Sequence, residues 1–272
     1  MLDLIRRSLE EDLGAGDLTT RAVVPEGARA VARIEQRASG VPAGLEVAEA
    51  VFMQVDPGLE WQALVVGSAW REPGVLATVA GDAAAILAAE RVALNFLGRL
   101  AGVATTTARY VEAVRGTGVR ILDTRKTTPG LRALEKEAVI AGGGTSHRSG
   151  LDDAVLVKEN HAALAGGVGE AARLAVQNAP DGVVVEVECA TLDELREAVD
   201  AGAPRLLLDN MSLAELRAAV ELAGGRAELE ASGGITLETV RAVAETGVDF
   251  ISVGALTHSA PALDVSLLLE PA

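Results

Sequence analysis

The chain has 272 residues, of which 49% are apolar and 23% charged, and it carries a formal net charge of −15. That length can bury a sizeable core, and the composition excludes a disordered chain. The acidic balance argues against a nucleic-acid partner, and no run of about 18 apolar residues suggests a membrane span. The single cysteine, Cys189, excludes an intrachain disulfide framework. MLDLIRRSLEED does not read as a secretory signal, so a cytoplasmic address is the expectation. The negative total does not exclude small anionic ligands, because screening over a Debye length of roughly 8 Å lets local cations decide what a cleft binds. Those cations are unevenly chosen: 21 arginines stand against three lysines, and Lys126 and Lys158 fall at the ends of expected strands.

In chain order, LDLIRRSLEEDL predicts a short amphipathic helix ending at Gly14 and Gly16. ARAVARIEQRASGV and EWQALVVGSAW read as β-like stretches, with a helical GLEVAEAVFMQV between them. Asp82 is placed to cap a helix carrying Ile86, Ala89, Ala93, Leu97 and Leu100 at helical spacing, and a second helix of about 103–115 ends before Gly116 and Gly118. From there strand and helix alternate. VRILDT (119–124), AVLVK (154–158), VVVEVE and RLLLDN are apolar strands. Thr191 with Glu194, and Ser212 with Glu215, are capping boxes that open helices. Glu188, Asp209, Ser232 and Gly254 follow one another at separations of 21, 23 and 22 residues, the pitch of minimal βα units. Six clear strands are fewer than the eight of a closed barrel, so a truncated or open α/β barrel follows, after a mixed α/β first hundred residues.

Ligands of such folds sit outside the carboxyl ends of the strands. Three sub-sites can be argued there. Arg125, Lys126, Arg148 and Lys158, with His147, could converge on an anion through charge-assisted hydrogen bonds. Glu188 and Asp209 end adjacent strands and, with no Cys or His ligand beside them, suit a hard cation such as Mg²⁺. A general acid and base pair is the alternative. Ser232, Gly233 and Gly234, followed by Gly254, offer backbone N–H groups to a phosphate. His258 could touch that phosphate or be structural. Alternation turns Cys189 toward the helices as a small core residue, the glycines 142–144 read as a helix end and turn, and His161 as a loop cap.

The segment LDTRKTTPGLRALEKEAVIAGGGTSHRSGLDDAVLVKENH resembles the central signature of the quinolinate phosphoribosyltransferases. The likeness extends to EDLGAGDLTT, AERVALNFLGRLAG, VEVE, LLLDNM, SGGI and VGALTHS, with departures at Ser146, Glu159 and Gly98. It implies an N-terminal open, sandwich-like α/β domain over 1–102, onto which the tail 260–272 packs back. A truncated or open barrel of six to seven parallel strands over 103–259 would follow. It further implies transfer of phosphoribosyl from phosphoribosyl pyrophosphate to quinolinate with decarboxylation, giving nicotinate mononucleotide for NAD biosynthesis. The implied protein is a homodimer with shared active sites, dimer versus hexamer being open. Arg99 would reach the partner's site. Arg125, His147, Arg148 and Lys158 would surround the quinolinate carboxylates. Lys126, Glu188, Asp209, the 232–234 turn, Gly254 and His258 would serve phosphoribosyl pyrophosphate and Mg²⁺, with Lys126, Glu188 and Asp209 as the catalytic set.

Overall fold

The computed structural model describes every residue from Met1 to Ala272. In chain order the elements are α1 (Leu2–Leu13), α2 (Leu18–Val23), β1 (Arg29–Gln36), α3 (Leu45–Val55), β2 (Glu60–Ala63), β3 (Gly74–Asp82) and α4 (Ala83–Ala113). There follow β4 (Arg120–Leu122), α5 (Arg132–Ala141), β5 (Val155–Val157), α6 (Glu159–Ala165), α7 (Val168–Asn178), β6 (Val185–Cys189), α8 (Leu192–Asp200) and β7 (Arg205–Asp209). The chain closes with α9 (Leu213–Ala223), β8 (Glu228–Ser232), α10 (Val240–Ala244), β9 (Phe250–Ser252), α11 (Ala255–His258) and β10 (Val265–Pro271). No helix is long and apolar enough to cross a membrane.

Two compact units divide the chain. The first comprises Met1–Ala108, Pro129–Gly143 and Ala260–Ala272. Its antiparallel sheet has the order β10-β1-β3-β2. In β1 the alternation is strict: Ala30, Ala32, Ile34 and Gln36 are buried, while Val31 lies exposed on the other face. The tail enters this sheet as β10, antiparallel to β1 with Ile34 opposite Leu267.

Two expectations differ from this unit. EWQALVVGSAW is strand only over Glu60–Ala63, and β3 was not expected, because its Gly, Ala and Thr content carries little β signal. The two helices expected on either side of Gly102 are one helix, α4. Gly98 and Gly102 do not break it; they admit another stretch of backbone. The Leu263 amide donates to the Gly98 carbonyl at 2.8 Å, and a Cβ at Gly102 would collide with the Pro261 carbonyl oxygen. Residues 129–143, with α5, group with the first unit. A sequence that alternates strand and helix gives no sign of which helices stay with the sheet they interrupt.

The second unit, Arg109–Thr128 and Gly144–Ser259, holds a six-stranded parallel sheet of order β4-β9-β8-β7-β6-β5. An isolated parallel bridge between Leu122 and Thr145 adds a rudimentary seventh position beside β4. Between that bridge and β5 the sheet stays open. One face is apolar and packs under helices: Ile121, Val157, Val187, Cys189, Leu206, Leu208, Leu229, Ala231 and Ile251 are all buried. The other face is polar, which register makes plain. Arg120, Phe250, Glu230, Leu207 and Glu188 stand side by side across five strands. Leu122, Ser252, Ser232 and Asp209 form the next row toward the carboxyl ends.

The amino end of this interior is plugged. The Arg120 and Arg205 guanidiniums lie over the Phe250 ring at 4.2 and 4.3 Å, and Glu228 pairs with Arg205 at 2.7 Å. A floor of this kind leaves the carboxyl end as the open mouth.

Candidate active site

At the carboxyl ends a cavity of about 190 Å³ is lined by Thr124, Arg125, Lys126, His147, Arg148 and Lys158 on its cationic side. Glu188, Asp209, Glu230, Ser232 and Ser252 line the rest. The structure thus brings together most residues singled out from the sequence. A larger cavity of about 410 Å³ lies in the first unit, lined mainly by apolar side chains such as Leu45, Trp61, Val65 and Leu134, and has no converging cations.

The cations arrive from three turns. Arg125 and Lys126 follow β4, where the Lys126 amide donates to Thr124 Oγ1 at 3.1 Å and Thr257 Oγ1 donates to the Lys126 carbonyl at 2.8 Å. Arg125 Nε is buried without a hydrogen-bond partner, a cost that a bound anion would relieve. Burial, and then Arg125 beside it, pull the Arg148 guanidinium below its ordinary value. Two like charges held that close mark an anion-binding site. Lys158 caps α6, its amide donating to His161 Nδ1 at 2.9 Å, so the expected loop cap is a helix cap.

On the opposite wall Lys158 Nζ donates to Glu188 Oε2 at 2.6 Å. Asp209 Oδ2 accepts from Asn210 Nδ2 at 2.9 Å. Asn210 is the one non-glycine residue with positive φ, 55°. Its amide donates to the Ser232 carbonyl at 2.9 Å, so its strain fixes the end of β7 against β8. Glycine is required at 233, where φ is 99° and a Cβ would collide with Asn210 Oδ1. Lys126 Cδ and His258 Nε2 both close over Gly254, and His258 Nδ1 lies 2.6 Å from Ser259 Oγ. The carboxylates of Glu188 and Asp209 are hard oxygen donors on adjacent strands, a donor set that fits Mg²⁺.

Two of the expected site residues are engaged by other protein groups. Arg99 is engaged within the first unit: its Nε and Nη2 donate to the fully buried Glu135 Oε1 at 3.0 and 2.7 Å, and Nη1 donates to the Ala260 carbonyl at 3.0 Å. The guanidinium pins α4 to α5 and the tail. His147 lines the cavity but turns both ring nitrogens to protein groups. Nε2 lies 3.0 Å from Glu186 Oε2 and 3.4 Å from Glu230 Oε2, while the Arg148 amide donates to Nδ1 at 2.7 Å.

Glu186 and Glu230 are not among the site residues expected from the sequence. Both are buried, and their signal was an acid at an inward position of an otherwise apolar strand, in VEVE and ELEAS. Burial lowers the proton affinity of His147, but the hydrogen bonds and charges of Glu186 and Glu230 outweigh it and raise its pKa to about 9. Burial likewise raises Glu186. The Arg148 N–H pointing into Nδ1 works against the gain at His147, since a ring protonated on both nitrogens could not accept it.

Comparison with known proteins agrees with this geometry. Residues 17–101 match the quinolinate phosphoribosyl transferase N-terminal domain, and residues 103–268 match the C-terminal domain of the same family. The chain is 43% identical over 267 residues to the probable nicotinate-nucleotide pyrophosphorylase (carboxylating) of Synechocystis, covering 97% of this chain and 90% of the relative. It is 41% identical over 288 residues to quinolinate phosphoribosyltransferase (decarboxylating) 2b of Nicotiana tabacum, covering 98% and 82%. The crystal structure of NadC from Streptococcus pyogenes superposes with a TM-score of 0.94 at 38% identity, covering 99% of this chain and 96% of that one. The chain belongs to the quinolinate phosphoribosyl transferase family.

Proposed function

We propose that the barrel site transfers the phosphoribosyl group of phosphoribosyl pyrophosphate to quinolinate, releasing pyrophosphate and CO₂ and giving nicotinate mononucleotide for NAD biosynthesis. One observation carries the reading. Arg125, Lys126, Arg148 and Lys158 face Glu188 and Asp209 across a single cavity, so a dicarboxylate clamp adjoins a pyrophosphate side. Family membership supports the same reaction.

The chemistry follows from charge placement. Arg125, Arg148 and Lys158 would hold the two carboxylates and aim the ring nitrogen at the anomeric carbon. The nitrogen lone pair forms the new C–N bond as the C–O bond to pyrophosphate breaks. Lys126, between the two subsites, would balance charge that develops on the leaving group. Glu188 and Asp209 would hold Mg²⁺, which when bound would neutralise pyrophosphate oxygens. The ring nitrogen is now cationic, so the electrons of the bond to the 2-carboxylate stay at the ring carbon as CO₂ departs. That carbon then takes a proton. The turn 232–234, Gly254 and His258 would bind the phosphates. No side chain need act as a general base.

The protein is further read as a cytoplasmic homodimer with shared active sites, a hexamer being the alternative. Sedimentation velocity separates those two states. The reaction is tested by incubating the purified chain with quinolinate, phosphoribosyl pyrophosphate and Mg²⁺. Nicotinate mononucleotide is the expected product, and none from folded protein would refute the reading.

A further inference from the structure

Beneath the cationic wall lies a cluster to which the proposed chemistry gives no task. Glu230 is fully buried and Glu186 is 2% exposed, yet both side chains point into the barrel interior. Glu186 Oε1 and Glu230 Oε1 make no hydrogen bond, and Glu230 Oε2 has only the long 3.4 Å approach of His147 Nε2. Burying two carboxylates side by side is costly, and folds keep such pairs where they do something. Arg148 and Arg205 act on Glu186 through charge alone, and the donor nearest both carboxylates is His147, whose Nε2 lies within 3.4 Å of both.

We propose that Glu230, together with Glu186, is a positioning residue: it anchors His147 Nε2 so that His147 holds the backbone of Arg148 for the dicarboxylate. The links are each on the molecule. The His147 amide donates to Asp123 Oδ1 at 2.8 Å, which ties the turn to the end of β4. The carboxylates below fix the imidazole with its proton on Nε2. Nδ1 is then an acceptor, and it receives the Arg148 N–H at 2.7 Å. A ring held at one nitrogen and spent at the other is a strut. The side chain it aims is the guanidinium of Arg148, which lines the cavity beside Arg125. A divalent ion at the same place would use the same three ligand atoms, which lie within 4.8 Å of one another. It would have to displace the Nε2 proton, and hydrogen-bond separations already account for the arrangement.

The inference rests on the proposed reaction for its kinetic readout, and on none of it for its spectroscopic one. In the wild-type protein, long-range ¹H–¹⁵N correlation of the imidazoles, assigned with His147→Asn, should show His147 protonated at Nε2 and bare at Nδ1. Glu230→Leu should raise the quinolinate KM by about tenfold, while the KM for phosphoribosyl pyrophosphate and the Tm hold. Glu230→Gln keeps a carbonyl acceptor and should stay near wild type. An Nδ1-protonated ring would overturn the proposal. So would an unchanged quinolinate KM in Glu230→Leu, equal rises in both KM values with a fall in Tm, or a His147 Nε2 resonance that loses its proton on Zn²⁺ addition. A wild-type enzyme inactive on quinolinate but with the expected imidazole signature would refute the reaction and leave the strut standing.

Discussion

Lys158 Nζ and Glu188 Oε2 meet at 2.6 Å, joining the residue assigned to the quinolinate carboxylates with one assigned to Mg²⁺. The two subsites are therefore one electrostatic unit. A carboxylate arriving at Lys158 competes with Glu188, and Glu188 released from Lys158 becomes available to a cation. Lys158→Met should lower kcat/KM for quinolinate by about ten- to a hundredfold, the equivalent of one charge-assisted hydrogen bond of about 1.5–3 kcal/mol. Steady-state kinetics with each substrate varied in turn provides the check. An unchanged kcat/KM would remove Lys158 from the clamp.

Arg99 and Glu135 should matter for stability. Glu135 is fully buried, and removing the Arg99 guanidinium breaks a buried ion pair, a loss of about 3–5 kcal/mol. Denaturant unfolding of Arg99→Met measures it. A variant as stable as wild type would contradict the pin.

At Gly233 an alanine would have to hold a φ of 99° and displace Asn210. About 1–3 kcal/mol of strain at that turn should appear chiefly as a raised KM for phosphoribosyl pyrophosphate, with quinolinate affinity less affected. Isothermal titration with each substrate distinguishes the two.

Cys189 is buried under the helices, and burial pushes its thiol up to about 12. In native protein it should resist thiol reagents at pH 8 that label it readily after denaturation. Colorimetric thiol titration before and after denaturant reads this directly.

Much of the barrel was legible because its strands are short apolar runs closed by capping boxes, and Thr191–Glu194 and Ser212–Glu215 both form as the spacing requires. The cationic residues were legible for a related reason, since strand ends must gather at one rim. What escaped depends on contacts between distant segments. Gly102 fell between two expected helices, and only the tail crossing it and Gly98 shows why one helix carries both. The contacts of Arg99 with Glu135 and the Ala260 carbonyl were not legible, because nothing near it in sequence names them. Glu230 gave no signal on its own, because only register reveals that it faces inward.

The most direct test follows CO₂ from quinolinate labelled in its 2-carboxylate, with phosphoribosyl pyrophosphate either supplied or withheld and with nicotinate run in parallel. Label should be released only when phosphoribosyl pyrophosphate is present, in equal amount to nicotinate mononucleotide, and nicotinate should not be converted. Conversion of nicotinate at a comparable rate, or release of label without phosphoribosyl pyrophosphate, would contradict a dicarboxylate clamp set beside a pyrophosphate site.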